Sequence, residues 1–270
     1  MNLPAAVVLF LVCISLGSVS RSQIVPLTGA HAHNDYDHER PLFDALSYGF
    51  TSIEVDVLLI DNEIYVGHDL PDSSNLLPTL IETYLQPLDS IIRRNGGTLY
   101  PGYNPDCYLM IDIKTEAEET YRMLSKVLQP YKSWIRQYEG GMDQKDKITV
   151  LLSGKRPVKT VLMDPDRLVS LDGRPGDLGK GYTTGEMPVI SQSYLQYSNW
   201  EGVGDMPMAD QDKIRTLADN VHAEGKLLRL WGNPDIEKGW KMLHYLGVDL
   251  INTDKLKKLR DYFIENEVMK

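Results

Sequence analysis

Residues 52–57 read Ser52-Ile53-Glu54-Val55-Asp56-Val57, and residues 110–114 read Met110-Ile111-Asp112-Ile113-Lys114. In an extended strand successive side chains point to opposite faces. Ile53, Val55 and Val57 therefore share one face, and Ser52, Glu54 and Asp56 share the other. The second stretch repeats the pattern, with Ile111 and Ile113 opposite Asp112 and Lys114. A strand that oily belongs inside a protein, and buried anions require a cation. Val66-Gly67-His68-Asp69 brings a histidine fourteen residues after Glu54. Together these segments suggest a hard-metal site flanked by imidazole.

Apolar runs of strand length recur near 25–31, 51–57, 108–113, 147–152, 167–171, 187–192, 226–231 and 248–252, most of them followed by a helical pattern. Pro41 opens one helix and Gly49 closes it. Thr115-Glu116-Ala117-Glu118 reads as a capping box ahead of Ala117, Tyr121, Leu124 and Leu128. Ile214, Leu217, Ala218 and Val221 repeat the helical spacing, and Leu256, Leu259 and Phe263 predict a final amphipathic helix. Eight strand-then-helix units in about 250 residues predict a (β/α)8 TIM barrel. An open doubly wound sheet is the alternative, but no glycine-rich phosphate loop follows its first strand. No linker or internal repeat divides the chain, so residues 21–270 read as one domain. The stretches 95–107, 172–186 and 196–207 read as loops, where barrels build active sites.

The N-terminal run from Leu3 to Gly17 is apolar and ends in Ser18-Val19-Ser20, which predicts an export signal over residues 1–20 and a secreted or periplasmic protein. Its n-region carries no Lys or Arg, and the run is short and wrongly flanked for a membrane span. A lipoprotein anchor at Cys13 is the weaker option, because Val12 precedes it. With that segment removed, Cys107 is the sole cysteine and has no intrachain partner for a disulfide; it reads as a small buried hydrophobe. The 38 acids exceed the 28 bases by ten. Such a surface argues against nucleic acid or an anionic membrane as partner and favours a small zwitterionic or monoanionic substrate. Oligomeric state leaves no trace in the sequence.

Alternation predicts interior faces on four strands: Leu27, Gly29, His31 and His33; Ser52, Glu54 and Asp56; Tyr108, Met110, Asp112 and Lys114; Leu227, Arg229, Trp231 and Asn233. Their polar members gather toward the C-terminal ends, where barrel enzymes place their chemistry. Glu54, Asp56 and Asp112 offer oxygen ligands only, which suits one Mg²⁺ or Ca²⁺ ion better than Zn²⁺. The competing reading pairs them with Lys114 or Arg229 in a purely structural network. His31 and His68, at the ends of neighbouring strand elements, fit general acid and base. Lys114 is placed to hold a substrate oxygen or tune the acids. Trp231 reads either as a headgroup wall, by cation–π contact, or as core packing. His38, His222 and His244 fall on loops or helices and read as ordinary surface or core residues. His31-Ala32-His33 also spells the pair used by metallohydrolases that cleave amides, but the later strands end in Leu171-Asp172-Gly173 and Ser191-Gln192-Ser193, without the further histidines such sites require.

These residues resemble a superfamily of barrel phosphodiesterases that includes glycerophosphodiester phosphodiesterases, phosphatidylinositol-specific phospholipases C and the sphingomyelinase D-like phospholipases of spider venom. The resemblance rests on a histidine at the end of the first strand, Ile53-Glu54-Val55-Asp56-Val57, His68, Asp112-Ile113-Lys114-Thr115, Leu230-Trp231-Gly232-Asn233 and Gly247-Val248-Asp249. Ala32-His33-Asn34-Asp35-Tyr36 looks most like a branch similar to a fungal mitochondrial-inheritance protein. The resemblance implies metal-dependent cleavage of a glycerophosphodiester, lysophospholipid or inositol-type headgroup. It implies His31 or His33, with His68, as acid and base, and Glu54, Asp56 and Asp112 as Mg²⁺ or Ca²⁺ ligands. Lys114, Arg229, Trp231 and Asn233 become the substrate-binding candidates. The His-Arg-Gly of the glycerophosphodiesterases is replaced here by His31-Ala32-His33-Asn34, which removes an arginine expected near the phosphate and leaves the first catalytic histidine open. A barrel that binds without turning over, and the amide metallohydrolase, are the alternatives.

Overall fold

The computed structural model describes residues 24–72, 77–103, 106–137, 147–266 and 268. The predicted export signal and Cys13 lie outside them. Its elements run β1 (Leu27–Ala32), α1 (Phe43–Ser47), β2 (Phe50–Ile60), β3 (Glu63–Val66), α2 (Gln86–Arg94), β4 (Cys107–Ile113), α3 (Ala117–Leu128), β5 (Ile148–Gly154), α4 (Val158–Met163), β6 (Ser170–Gly173), β7 (Val189–Ser193), α5 (Met208–Ala223), β8 (Leu227–Trp231), α6 (Glu237–Tyr245), β9 (Leu250–Thr253) and α7 (Leu256–Glu265). Eight of the strands pair in parallel in the order β1-β9-β8-β7-β6-β5-β4-β2, and β1 pairs with β2 to close the ring. This is a (β/α)8 barrel. The crossover from β6 to β7 departs from the helical rule, carrying only a one-turn 3-10 helix at Pro175–Asp177.

β3 is an addition the periodicity does not predict. It runs antiparallel to the end of β2, with Val57 opposite Val66. The turn between them holds Asp61 at φ 48° and Asn62 at φ 63°, a left-handed pair that Asp and Asn tolerate and that suits a tight hairpin. The hairpin extends β2 beyond the ring, and its return strand brings Gly67 back level with Asp56, Gly67 N donating to Asp56 O at 3.0 Å, with His68 next to it.

Packing separates two apolar groups as the alternation requires. Ile53, Val55, Leu109, Ile111, Leu228 and Leu230 join the helices in the large outer core. Tyr108, Met110, Leu151, Val189 and Leu250 form a smaller cluster on the opposite parity, which plugs the lower part of the barrel. Leu27 corrects the expected inner face of β1: it lies in the outer core, because the pairing with β2 shifts between Leu27 and His31. Gly29, at φ 87°, takes up that irregularity, and a Cβ there would sit 2.8 Å from the Asp249 carbonyl oxygen. Thr115 corrects the capping box. Its Oγ1 accepts from Leu59 N at 2.9 Å, tying β4 to β2, while Glu116 caps α3 by accepting from Glu119 N at 3.0 Å. Cys107 is buried, and burial pushes its thiol up to about 12.

Candidate functional site

Above the apolar plug the barrel interior turns polar. Register places Asp56 beside Asp112 on β4, Asp112 beside Ser153 on β5, and His31 between Ser52 and Asn252. Glu54, Asp56 and Asp112 each present a carboxylate oxygen, and those oxygens lie within 4.8 Å of one another. Glu54 and Asp56 are buried and Asp112 is half-buried. Gly154, at φ 65°, is what leaves room for Asp112: a Cβ there would lie 2.1 Å from Asp112 Oδ1.

The charges around this cluster do not balance. Arg229 pairs with Glu54, and its Nε donates to Asn252 Oδ1 at 2.9 Å. Lys114 Nζ lies 3.1 Å from Asp56 Oδ2 and 3.1 Å from Asp112 Oδ1. Tyr36 OH donates to Asp56 Oδ2 at 2.9 Å. Three carboxylates therefore face two cations, and Asp56 Oδ1 is buried with no hydrogen-bond partner. Burial, only partly offset by Lys114 and reinforced by Asp112 and Glu54, raises Asp56 to about 6. Asp112 is raised as well, again by burial first. Glu54 goes the other way: burial would raise it, but Arg229 and then His31 hold it well below the usual carboxylate range. An all-oxygen donor set, a net negative charge and an orphaned carboxylate oxygen are what could hold a metal ion between Asp56, Asp112 and Glu54.

The two first-strand histidines occupy different depths. His31 is fully buried; its Nε2 donates to Glu54 Oε2 at 2.8 Å and its Nδ1 accepts from Ser52 Oγ at 2.7 Å. Both ring nitrogens are used. Burial, helped by Arg229, lowers it to about 4, so it stays neutral near pH 7. His33 lies just past β1 at the mouth. Its Nδ1 donates to Asp254 Oδ1 at 2.7 Å, which leaves Nε2 as an acceptor. Burial works to lower His33, but Asp254 and Glu54 outweigh it and the net shift is upward. Asp254 is held in turn, its backbone N donating to Asp235 Oδ2 at 3.2 Å.

The remaining expected residues divide. His68 is well exposed, 3.1 Å from Asp69, and lines a groove with Lys114 beside the acids. Arg229 was expected at the substrate; it is buried and fully engaged with Glu54, Asn252 and Met110 Sδ, so it serves the interior. Trp231 is 41% exposed at the mouth, which removes the core-packing account. Asn233 Nδ2 donates to Asn252 O at 3.3 Å, and its Oδ1 is buried and unpaired. Trp200 is buried, its indole donating to Val203 O at 2.9 Å, so it pins its own loop. Sequence reasoning missed Tyr36, Ser52, Asn252 and Asp254; the only available signal was that Ser52 shares a face with Glu54. At the positions where an amide-cleaving dizinc barrel needs histidines, β6 carries Asp172, bound to Ser153 and Arg174, and β7 carries Ser191 and Ser193.

Among the described residues, no helix is long and apolar enough to cross a membrane. Residues 19–170 match the model of a family described as the AIM6-like phosphodiesterase domain. The chain is also similar to the altered inheritance of mitochondria protein 6 homolog of Arthroderma benhamiae, 28% identical over 89% of this chain and 85% of that protein. Altered inheritance of mitochondria protein 6 of Eremothecium gossypii is 29% identical over 85% of this chain and 68% of its own length. The Saccharomyces cerevisiae protein of that name is 28% identical over 84% and 68%.

Proposed function

The chain belongs to the AIM6-like phosphodiesterase domain family, and from that premise we propose that it is a metal-dependent phosphodiesterase acting on a small glycerophosphodiester, lysophospholipid or inositol-type headgroup. One observation carries the reading: three carboxylate oxygens converge within 4.8 Å at the barrel mouth, with a net negative charge and Asp56 Oδ1 unpartnered. Asp56, Asp112 and Glu54 would hold one Mg²⁺ or Ca²⁺ ion, which supplies neutralisation of charge on the phosphoryl oxygens when bound.

The chain's own residues supply the proton traffic. His33, oriented by Asp254, takes the proton of the attacking hydroxyl, water or a neighbouring substrate hydroxyl, at Nε2. His68, across the acids on the hairpin rim, gives a proton to the departing alcohol oxygen. His31 positions Glu54 through one nitrogen and is itself fixed by Ser52 through the other. Trp231 walls the mouth against the headgroup, Lys114 holds a substrate oxygen, and Asn233 steadies the β8 and β9 ends. The apolar N-terminal run also supports export as a proposal, checked by N-terminal sequencing of the mature protein.

A second reading has one observation in its favour. Lys114 bridges Asp56 and Asp112, and Arg229 covers Glu54, as in a barrel that binds a ligand without turnover. The deciding experiment assays purified protein against bis(4-nitrophenyl) phosphate and a panel of glycerophosphodiesters with Mg²⁺ or Ca²⁺, and again with EDTA. The phosphodiesterase reading expects turnover that EDTA and Asp56→Asn each abolish. No turnover, with no change in melting temperature on adding either ion, leaves the binding barrel.

A further inference from the structure

The groove beside the acids has a volume of about 970 Å³, and its charged lining is His68, Lys114, Lys155 and Arg156 against Asp69 and Glu116. Both of those acids are engaged. Asp69 faces His68, and the Glu116 carboxylate accepts from Glu119 N. Lys114 is committed to Asp56 and Asp112. Among the described residues, however, neither Lys155 nor Arg156 forms an ion pair with a carboxylate. Arg156 donates through Nη1 to the Asp172 carbonyl, while Asp172 Oδ2 accepts from Arg174 at 2.7 Å and Ser153 at 2.8 Å. In a chain with ten more acids than bases, a lysine and an arginine that stand outside the described ion pairs share one groove, where an anion fits them.

Their placement is fixed by backbone. Gly154 turns at φ 65°, Lys155 N donates to Ile113 O at 3.0 Å, and Arg156 N donates to Gly154 O at 3.1 Å. Around the ring His33 follows β1, the metal-site acids stand on β2 and β4, and the two cations follow β5. Neighbouring strands lie about 4.8 Å apart. A substrate lying across the mouth with its phosphorus over the acids extends one short arm over β5. A planar guanidinium with an ammonium beside it matches a phosphoryl or carboxylate group there. Burial and the adjacent Arg174 lower Arg156, outweighing Asp172, Asp177 and Asp112, so a bound anion would stabilise its charge further.

We propose that Lys155 and Arg156 form a subsite for a second anionic group, a phosphomonoester or carboxylate, on the alcohol arm of the phosphodiester substrate. The proposal rests on the phosphodiesterase reading and narrows its substrate class to diesters that carry a second anionic group.

Two measurements test it separately from that reading. The first titrates inorganic phosphate into the protein in EDTA by isothermal calorimetry, comparing wild type, Lys155→Gln and the Lys155→Gln/Arg156→Gln pair. Lys155 is a loop side chain, so its variant is informative even if the pair is destabilised. Loss of one charge-assisted hydrogen bond is expected to weaken binding about tenfold per residue. Phosphate affinity that is absent in wild type, or unchanged in both variants, overturns the subsite. The second compares kcat/KM for glycerophosphoglycerol, glycerophosphoglycerol bearing a terminal phosphomonoester, and glycerophosphoserine. A preference of about tenfold for either anionic arm, abolished by the variants with the neutral-arm rate retained, supports the subsite and tells the two anions apart. Equal rates for all three, or a preference that survives in the variants, overturn it. If no diester turns over, the phosphodiesterase reading fails and the proposed substrate class falls with it, while the calorimetry still reports on the groove.

Discussion

His33 Nδ1 stands 2.7 Å from Asp254 Oδ1, two residues 221 positions apart that meet where β1 and β9 close the ring. The pairing fixes the tautomer of His33 and turns its Nε2 toward the mouth as an acceptor. His31, two residues earlier, has no free nitrogen.

His33→Ala is therefore expected to lower kcat/KM by about 10²–10⁴-fold with little loss of fold, as general-base removals do. Asp254→Asn replaces the anionic acceptor that raises His33 with a neutral one, so its pKa falls. A base must be deprotonated to act, and the acidic limb of the kcat/KM profile should move to lower pH in this variant. An acidic limb unmoved by Asp254→Asn would remove His33 from the role.

Asp56 and His31 pull stability in opposite directions with pH. Asp56 rises from 3.8 to about 6 on folding, so its ionisation penalises the fold as pH climbs through that window. His31 falls from 6.5 to about 4, so the fold is penalised as pH drops through nearly the same window. A bare stability curve mixes the two. The difference between wild type and Asp56→Asn isolates the first: in EDTA, wild type should gain on the variant by about 2–3 kcal/mol as pH falls from 6.5 to 4, measured by urea unfolding. Added Ca²⁺ or Mg²⁺ should raise the wild-type melting temperature more at pH 7 than at pH 5.

Arg229 and Glu54 make a buried pair, and removing one partner strands the other's charge. Arg229→Met is expected to cost about 3–5 kcal/mol, while Glu54→Gln/Arg229→Met together cost clearly less than the two single changes summed. Additive losses in denaturant melts would mean the pair is not coupled.

Gly154→Ala puts a methyl 2.1 Å from Asp112 Oδ1 at a left-handed φ of 65°. The carboxylate must move. Divalent affinity, read by calorimetry, should fall about 10–100-fold, the range seen when the support of a metal ligand is lost. Tyr36→Phe, which removes the hydroxyl from Asp56 Oδ2 and leaves that oxygen to Lys114, should lower the affinity in the same range.

Much of the barrel was legible because its strands are buried on the helix side and carry chemistry on the other. That contrast survives in one-dimensional sequence, as at Ile53-Glu54-Val55-Asp56, and it brought Glu54, Asp56 and Asp112 to one face. Depth along the strand does not survive: His31 and His33 share a parity, yet one is sealed under the acids and the other stands at the rim. Parity itself failed at Leu27, where the irregularity at Gly29 resets the alternation. β3 was missed because four residues are too few for a period, although Asp61-Asn62 advertised the turn. Tyr36, Asn252 and Asp254 carried no local signal, since their roles come from partners 20 to 221 positions away.

Closure of β1 onto β9 also sets a clock on biosynthesis. The acids and both first-strand histidines leave the ribosome early, but the counter-ion Arg229 and the His33 partner Asp254 come from the last two strands. Until translation passes Arg229 the nascent chain holds Glu54 without its counter-ion, and until it passes Asp254 it holds His33 without its partner. Assembly of the site must therefore await that late docking.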